Sequence, residues 1–359
     1  MRARIVCLPG DGTGPEVMQE AVRVLTSVAC AFDHSFSFVE EKTGRSALFA
    51  YGTPISEKTL ESCRAANAVL MGPANLPVFD SIPTDESKRD NLSMLQSGLH
   101  LISGIQFSPL TQTSPHAHSL ASDLNVALVW PVPNKIYEGY IEEDGQTAHE
   151  IISLTVPQAE QVMHTSFQLA RQRRRSIHVV LEPGFLANSR IWRETSRHIG
   201  VDFPDVSLSF LDSNSCAAGL VRNPEQFDVL LAGAPLHSAY SGILAGRPFT
   251  SALSSCEMTG IDSPAVYLPA YADDPSLAGR DMISPIAMIL TAAHMLRRSL
   301  KLNNEADCVE MAVKNVLVAG WRTADMVQGG EPKVGTQAIG KLIAEQVDTV
   351  GAVMGGFHR

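Results

Sequence analysis

Short apolar runs recur along the chain between amphipathic stretches, and this alternation predicts its secondary structure. The runs predict buried strands, because strands covered on both faces are apolar throughout. They lie at 4–8, 67–71, 125–130 and 177–182, with two more near 206–211 and 227–232. Helical periodicity is found at about 15–28, 156–171, 189–198, 285–300 and 306–319. Repeated β-α units of this kind predict a largely parallel, twisted sheet with helices on both faces.

Composition restricts the class of protein. The chain has 359 residues, of which 45% are hydrophobic, so it can bury a large core. Its 28 Lys and Arg against 38 Asp and Glu give a net charge of −10, which argues against nucleic acid and anionic lipid as partners. No apolar run has the length of a membrane span, and the 6 cysteines are scattered, as expected of reduced thiols. We therefore expect a cytoplasmic protein.

Six blocks in a fixed order carry a resemblance to a known family. They read LPGDGTGPEV at 8–17, IYEG at 136–139, SRIWR at 189–193, NPEQFDV at 223–229, LAGR with SPIAMIL at 277–290, and GWRTAD at 320–325. In order and spacing they resemble the signature segments of the isocitrate/isopropylmalate dehydrogenase family, the β-decarboxylating dehydrogenases. Because the blocks span nearly the whole chain, the resemblance is far more specific than a single glycine-rich turn.

The resemblance implies a fold and an assembly. The fold would be α/β and isopropylmalate dehydrogenase-like, with two domains and a large twisted mixed sheet flanked by helices. Residues 1–98 with 255–359 would form the large, cofactor-type domain. Residues 99–254 would form the small domain, with a dimer-interface arm at about 131–150. Family members are homodimers whose active site borrows residues across the interface, so a homodimer is expected here.

The family oxidises 2-hydroxy acids with a nicotinamide cofactor, and three arginines bind the substrate carboxylates. The corresponding positions of this chain are Gln96, Gln106 and Trp130. Two amides and an indole cannot replace three guanidinium groups, whose hydrogen bonds to carboxylates are each worth about 1.5–3 kcal/mol. The substrate pocket, which would also include Asn214 and Ser238, is therefore predicted to bind a small ligand that is less anionic than a malate-like dianion.

The family's metal ligands are replaced as well. Its two aspartates after the FDV strand fall on Ser238 and Gly242, and the aspartate contributed by the partner subunit falls near Asn214, with Asp212 two residues away. Hard cations require several carboxylate oxygens. The sequence therefore predicts no Mg²⁺ or Mn²⁺ site.

The proton-transfer residues are only partly kept. The family's tyrosine is retained as Tyr137, two residues after Lys135, whereas its catalytic lysine has become Glu182. In a pocket, Glu182 and Tyr137 could form a new acid/base pair. The alternative is that both residues serve only packing and hydrogen bonding.

A glycine-rich turn follows the first strand and consists of Gly10, Asp11, Gly12, Thr13 and Gly14. Such a turn directs helix N–H groups toward an anion such as a cofactor phosphate, although it could equally be only a strand-to-helix connection. The family's adenosine-binding loop is altered, because it now contains Tyr271, Asp273 and Asp274, and Ser284 replaces an asparagine. Its carboxylates would repel phosphate, which argues against ordinary NAD binding without excluding it.

The chain keeps the family's motifs, whereas most residues at the positions of the active site are replaced. Three hypotheses follow. The first is an enzyme repurposed for metal-independent chemistry, with Glu182 and Tyr137 as its acid/base pair. The second is a non-catalytic relative that binds a small molecule or a partner subunit, for example a catalytic paralogue. The third is a conventional NAD-dependent 2-hydroxy acid dehydrogenase whose ligands come from other residues.

Overall fold

The computed structural model describes residues 1–73, 91–109, 125–132, 137–142, 145–233, 236–246, 253–271, 274–327 and 333–355. The strands are β1 (Arg2–Leu8), β2 (Ser35–Glu40), β3 (Ala68–Met71), β4 (Leu101–Pro109), β5 (Asn125–Pro131), β6 (Tyr137–Ile141), β7 (Ala148–Ile152), β8 (Ser176–Leu181), β9 (Ser207–Asp212), β10 (Val229–Leu231), β11 (Ser255–Gly260) and β12 (Val266–Pro269). The helices are α1 (Gly14–Ala31), α2 (Arg45–Tyr51), α3 (Glu57–Arg64), α4 (Asn91–Gly98), α5 (Val156–Arg171), α6 (Leu186–Gly200), α7 (Ser213–Arg222), α8 (Leu236–Ala245), α9 (Ile286–Arg298), α10 (Asn303–Val318) and α11 (Thr336–Gly355).

Ten of the strands form one mixed sheet, in the order β2-β1-β3-β12-β11-β4-β5-β10-β8-β9. The pairs toward both edges are parallel, whereas β12-β11, β11-β4 and β4-β5 are antiparallel. Strands β6 and β7 form a separate antiparallel hairpin. The expected α/β fold with a large mixed sheet is thus confirmed, and its antiparallel pairs are confined to the centre.

Local sequence explains where the main helices begin and end. Proline lies in the first turn of α1, as predicted. Helix α5 begins with a capping box, in which Thr155 Oγ1 accepts from Gln158 N at 3.4 Å while Gln158 Oε1 accepts from Thr155 N at 3.0 Å. It ends at Arg171, whose guanidinium pairs with Asp205 at 2.7 Å. In the described part of the chain, no helix is long and apolar enough to cross a membrane.

Three apolar clusters cover the sheet. One spans a whole face and includes Leu128, Cys256 and Leu268. The opposite face is covered in two halves, by α1, α9, α10 and α11 on one side and by α5 and α6 on the other. Strand residues alternate between the faces, so Gln106 and Phe107 of β4 lie on opposite sides of the sheet. We call the face of Gln106 the front and that of Phe107 the back.

Candidate functional site

An aromatic stack lies on the front of the sheet, and we call its region the front cleft, defined by Trp130, His237, Gln96, Gln106 and Ser238. The rings of Trp130, on β5, and His237, at the start of α8, are 5.3 Å apart and inclined by only 11°. The indole packs directly on Gly104, where an added Cβ would lie 2.2 Å from Trp130 Cε2. A glycine on β4 therefore makes room for the indole, which lies at the position of the family's third arginine.

The two glutamines predicted in this pocket are buried and hydrogen-bonded. Gln106 Oε1 accepts from Ser241 Oγ at 2.6 Å, and its Nε2 donates to Ser108 Oγ at 3.2 Å. Gln96 Nε2 approaches Met258 Sδ at 3.3 Å. Because Met258 pairs with Gly104 across β11 and β4, both glutamines belong to the same cleft as the aromatic stack.

Helices α7 and α8 bring the other predicted pocket positions to this cleft. Ser238 follows His237 and is exposed, with its Oγ 3.5 Å from His237 Nε2. Asn214 is also exposed, in the first turn of α7. Helix α8 is tied to that turn because Tyr240 donates its hydroxyl proton to the Ser213 carbonyl oxygen at 3.0 Å.

The cleft is electrically neutral at its centre. Burial lowers the pKa of His237 to about 4, so its imidazole carries no charge at neutral pH. Its Nδ1 is buried and has no hydrogen-bond partner among the described residues. The stack, the two amides and Ser238 therefore present dipoles and aromatic surface to a ligand, and no fixed charge.

The donor set does not suit a divalent metal ion. Ser238 and Asn214 offer a hydroxyl and an amide, and the nearby Asp212 carboxylate caps α7 by accepting from Ser215 N at 3.0 Å. Within the described ranges, no group of three or more His, Cys, Asp or Glu side chains could hold a metal ion. Because hard cations require several carboxylate oxygens, this arrangement does not match the metal chemistry of the family.

Glu182 lies directly after the end of β8. It lines a small pocket with Pro131, Ile152 and Leu236, and its Oε1 accepts from Gly184 N at 3.2 Å. Strand register pairs Ile152 with Tyr137, so the Tyr137 backbone lies beside one residue of the pocket lining. The Tyr137 side chain and all of Lys135 lie outside the described residues.

The glycine-rich turn has the backbone that its sequence predicts. Gly10 and Gly12 have positive φ angles of 75° and 59°, and an added Cβ at Gly14 would lie 2.0 Å from the Pro9 carbonyl oxygen. The Asp11 carboxylate accepts from Arg45 N at 2.9 Å and so holds the start of α2. Thr13 is buried. Of the predicted cofactor residues in this turn, Asp11 and Thr13 therefore have clear structural roles.

The second predicted cofactor loop is rich in acidic contacts. Asp274 accepts from Ser276 N at 3.0 Å, and Glu16 of α1 accepts from Gly279 N at 3.1 Å. Ser284 is buried and donates its N–H to Asp325 at 3.0 Å. Tyr271 is partly buried, and Asp273 lies outside the described residues. Carboxylates at the start of α1 and in this loop would oppose a phosphate at close range.

Three contributors to the front cleft escaped sequence reasoning: His237, Ser241 and Met258. None belongs to a motif, and each acts through a partner far away in the chain. The only available signal was the position of His237, directly before Ser238 and after an apolar strand.

Comparisons with known proteins assign the family. The model of the isocitrate/isopropylmalate dehydrogenase family matches residues 4–343. The chain is 33% identical over 360 residues to the 3-isopropylmalate dehydrogenase of Nitratidesulfovibrio vulgaris, covering 97% of this chain and 100% of that protein. It is 32% identical over 357 residues to that of Clostridium pasteurianum, covering 96% and 99%. The chain therefore belongs to the isocitrate/isopropylmalate dehydrogenase family, as its motifs predict.

Solved structures agree on the fold. The isocitrate dehydrogenase of Methylococcus capsulatus superposes with a TM-score of 0.84 at 24% identity, covering 96% of this chain and 99% of that one. A β-decarboxylating dehydrogenase of Thermococcus kodakarensis, in its apo form, gives 0.81 at 25% identity, covering 97% and 96%. The mixed ten-stranded sheet is thus the sheet of this family.

Proposed function

We propose that this chain is a divergent member of its family that binds a small ligand, less anionic than a malate-type diacid, in the front cleft and acts on it without a divalent metal. The observation that supports this most directly is the Trp130–His237 stack. Aromatic rings there favour an uncharged or weakly charged ligand, because none of Trp130, His237, Gln96 and Gln106 carries a positive charge to offset the desolvation of a second carboxylate.

Glu182 and Tyr137 are the proposed acid and base. Two observations support the pairing: Glu182 lines a small pocket with Ile152, and Ile152 is the strand partner of Tyr137. A carboxylate and a phenol differ widely in ordinary pKa, so one can accept a proton from a ligand while the other donates one. This pair would then replace the family's lysine in proton transfer, and it would not require the ligand's oxygen to be bound to a metal ion. Lys135 would be a neighbouring cation.

Thermal unfolding in the presence of ligands tests the binding part of this proposal. 3-Isopropylmalate, Mn²⁺ and NAD⁺ would be added singly and together, with the Clostridium pasteurianum 3-isopropylmalate dehydrogenase as the positive control. A ligand that binds only the native state raises the melting temperature. We expect the control to be stabilised by 3-isopropylmalate, and this chain to be unaffected by that diacid with or without Mn²⁺. A joint shift with diacid and metal would contradict the proposal.

Variants test the catalytic part. A screen of uncharged and monoanionic compounds would first identify a ligand and a turnover, and Glu182→Gln and Tyr137→Phe would then be compared with the parent chain. Loss of turnover with retained ligand binding is expected from both. Unchanged turnover in both variants would rule out the acid/base pair. Retained binding without turnover in the parent chain would favour a non-catalytic binding protein.

A conventional dehydrogenase is the second candidate. Identity of 33% over 360 residues to a 3-isopropylmalate dehydrogenase supports it, because homologues at that level commonly share a reaction class. It requires carboxylates and guanidinium groups from residues outside the aligned motifs or from a partner subunit. The joint 3-isopropylmalate and Mn²⁺ shift described above is its distinguishing result.

We also propose a homodimer, as in the family. The hairpin of β6 and β7 stands apart from the main sheet, and its Ile141 and Ile151 are 58% and 44% exposed. Leu186, close to Glu182 in the chain, is 75% exposed. Exposed apolar side chains on a hairpin that stands apart from the main sheet are typical of an interface. Light scattering on the eluting protein should give twice the chain mass; a monomer at all concentrations would contradict the dimer.

A further inference from the structure

A second, larger cavity lies on the back of the sheet. Its volume is about 1000 Å³, within the range of small-molecule sites. Strands β4, β11 and β12 form its floor through Phe107, Glu257 and Tyr267, and the ends of α5, α9 and α10 form its walls. It separates the two apolar clusters of the back face, since Leu253 and Leu290 belong to one and Phe107 and Leu169 to the other. The cavity is thus a gap between two halves of the core.

The lining of this back cavity is rich in cations, although the chain carries a net charge of −10. Five cationic side chains face two carboxylates, and these charged residues are Arg173, Arg297, Arg298, Lys301, Lys314, Glu257 and Glu310. Asp228 and Asp307 pair with two of the arginines from outside the lining, at 2.9 Å and 2.8 Å. Counting these two, five cations meet four carboxylates, so one positive charge remains.

Arg298 is held in a fixed position at the floor. Its Nε donates to the Glu257 carboxylate, its Nη1 donates to Gln172 Oε1 at 3.4 Å, and its Cζ lies 5.6 Å from the centre of the Phe107 ring. A guanidinium has five N–H donors, and these contacts occupy only part of them. Because its rotamer is already fixed, a ligand that uses the remaining donors loses little side-chain entropy on binding.

His294 reports the electrostatic potential inside the back cavity. Its imidazole lines the cavity, and its Nδ1 is hydrogen-bonded to the Ser255 hydroxyl. Burial, and after it the charges of Arg297, Arg298 and Arg173, lower its pKa to about 3. The residue is therefore neutral at physiological pH, and positive charge dominates its surroundings.

Two lysines complete the cationic lining. Lys301 follows α9 and Lys314 lies on α10, and both are exposed side chains of the cavity lining. Among the described residues, neither forms an ion pair with a carboxylate. Ammonium groups at the rim and a fixed guanidinium at the floor can together hold two anionic groups of one ligand.

We propose that the back cavity is a second ligand site, which binds a small organic anion carrying two or more carboxylate or phosphate groups. Lys301 and Lys314 bind one anionic group at the rim, and Arg298 receives another at the floor. The site lies on the face opposite the front cleft and shares none of its side chains. It therefore does not depend on the function proposed for that cleft.

Isothermal titration with citrate and, separately, pyrophosphate tests this proposal on the full chain. The variant Lys301→Glu/Lys314→Glu reverses both rim charges at exposed positions, where the fold should tolerate them. We expect saturable binding of at least one probe, weakened about tenfold or more by the double variant and by added salt. Binding of citrate alone would assign a carboxylate ligand, and binding of pyrophosphate alone a phosphate ligand.

Two controls make the result specific. Lys58→Glu changes an exposed lysine on α3, away from the back cavity, and should leave the affinity unchanged. Ser238→Glu places a charge at an exposed position of the front cleft and should also leave it unchanged. The proposal is overturned if neither probe binds saturably, if Lys58→Glu weakens binding as much as the double variant, or if only Ser238→Glu abolishes it.

Discussion

The front cleft and the back cavity lie on two faces of the same strands and have opposite chemistry. At the front, Gln106 is hydrogen-bonded to Ser241 and Ser108, beside a neutral aromatic stack. At the back, Glu257 of β11 forms an ion pair with Arg298 of α9, and further cations of the cavity lining surround the pair. The chain has therefore not lost charged side chains in general. Among the residues that the structure describes, the charged groups named here line the back cavity, and neutral polar and aromatic groups surround Trp130 at the front.

The largest expected effect comes from removing a charged side chain from the back cavity. Arg298→Leu would leave Glu257, only 3% exposed, without its partner. Burial already raises the pKa of Glu257, and removal of one member of a buried pair destabilises by about 3–5 kcal/mol. Urea unfolding measures the loss. The double variant Arg298→Leu/Glu257→Leu should recover most of it, and a single variant within 1 kcal/mol of the parent, roughly the value of an exposed pair, would contradict this view of the back cavity.

The pH dependence of stability tests whether His237 in the front cleft is uncharged. His237 has a folded pKa of about 4 against an ordinary value of 6.5. As the pH falls from 6.5 to about 4, the unfolded chain takes up a proton that the folded chain does not, so stability is lost, by up to about 3 kcal/mol. His237→Phe keeps a ring but removes the titration. Urea unfolding across this range should therefore show a flatter profile for the variant, and identical slopes would refute the buried neutral imidazole.

The smallest expected effect concerns the packing of Trp130. A Cβ at Gly104 would lie 2.2 Å from the indole, so Gly104→Ala should destabilise by about 1–3 kcal/mol through overpacking. Removal of the indole should relieve the clash. The added effect of Gly104→Ala in a Trp130→Ala background, measured by thermal unfolding, should therefore be much smaller. Equal effects in both backgrounds would mean that the indole does not occupy this space.

Sequence reasoning located the regular elements with strong periodicity. Helix α5 was predicted over its observed range of 156–171, and β5 and β8 within one residue at each end. It missed β4 and β11, the two central strands, because both mix buried polar and apolar residues. Gln106, Ser108 and Glu257 are buried there, and this pattern matches neither an alternating nor a continuously apolar strand.

The site was predictable only where a motif fixed a position. The spacing of the motifs led to Gln96, Gln106, Trp130 and Ser238, and the structure brings these to one cleft. The stack of Trp130 on His237 could not be predicted, because it joins strand β5 to a helix that begins about a hundred residues later. The back cavity was missed for the same reason, since its cations come from separate helices, and those at the ends of α5 and α9 look like ordinary C-terminal charges.

The side-chain alternation of β4 has an evolutionary consequence. Gln106 belongs to the front cleft and Phe107 lines the back cavity, and adjacent codons encode the two residues. A mutation at one codon can therefore alter one chamber while the neighbouring residue preserves the other, and the main-chain hydrogen bonds between them are untouched. A lineage with this architecture can retire an ancestral reaction on one side of its sheet while natural selection maintains, or builds, a different role on the other.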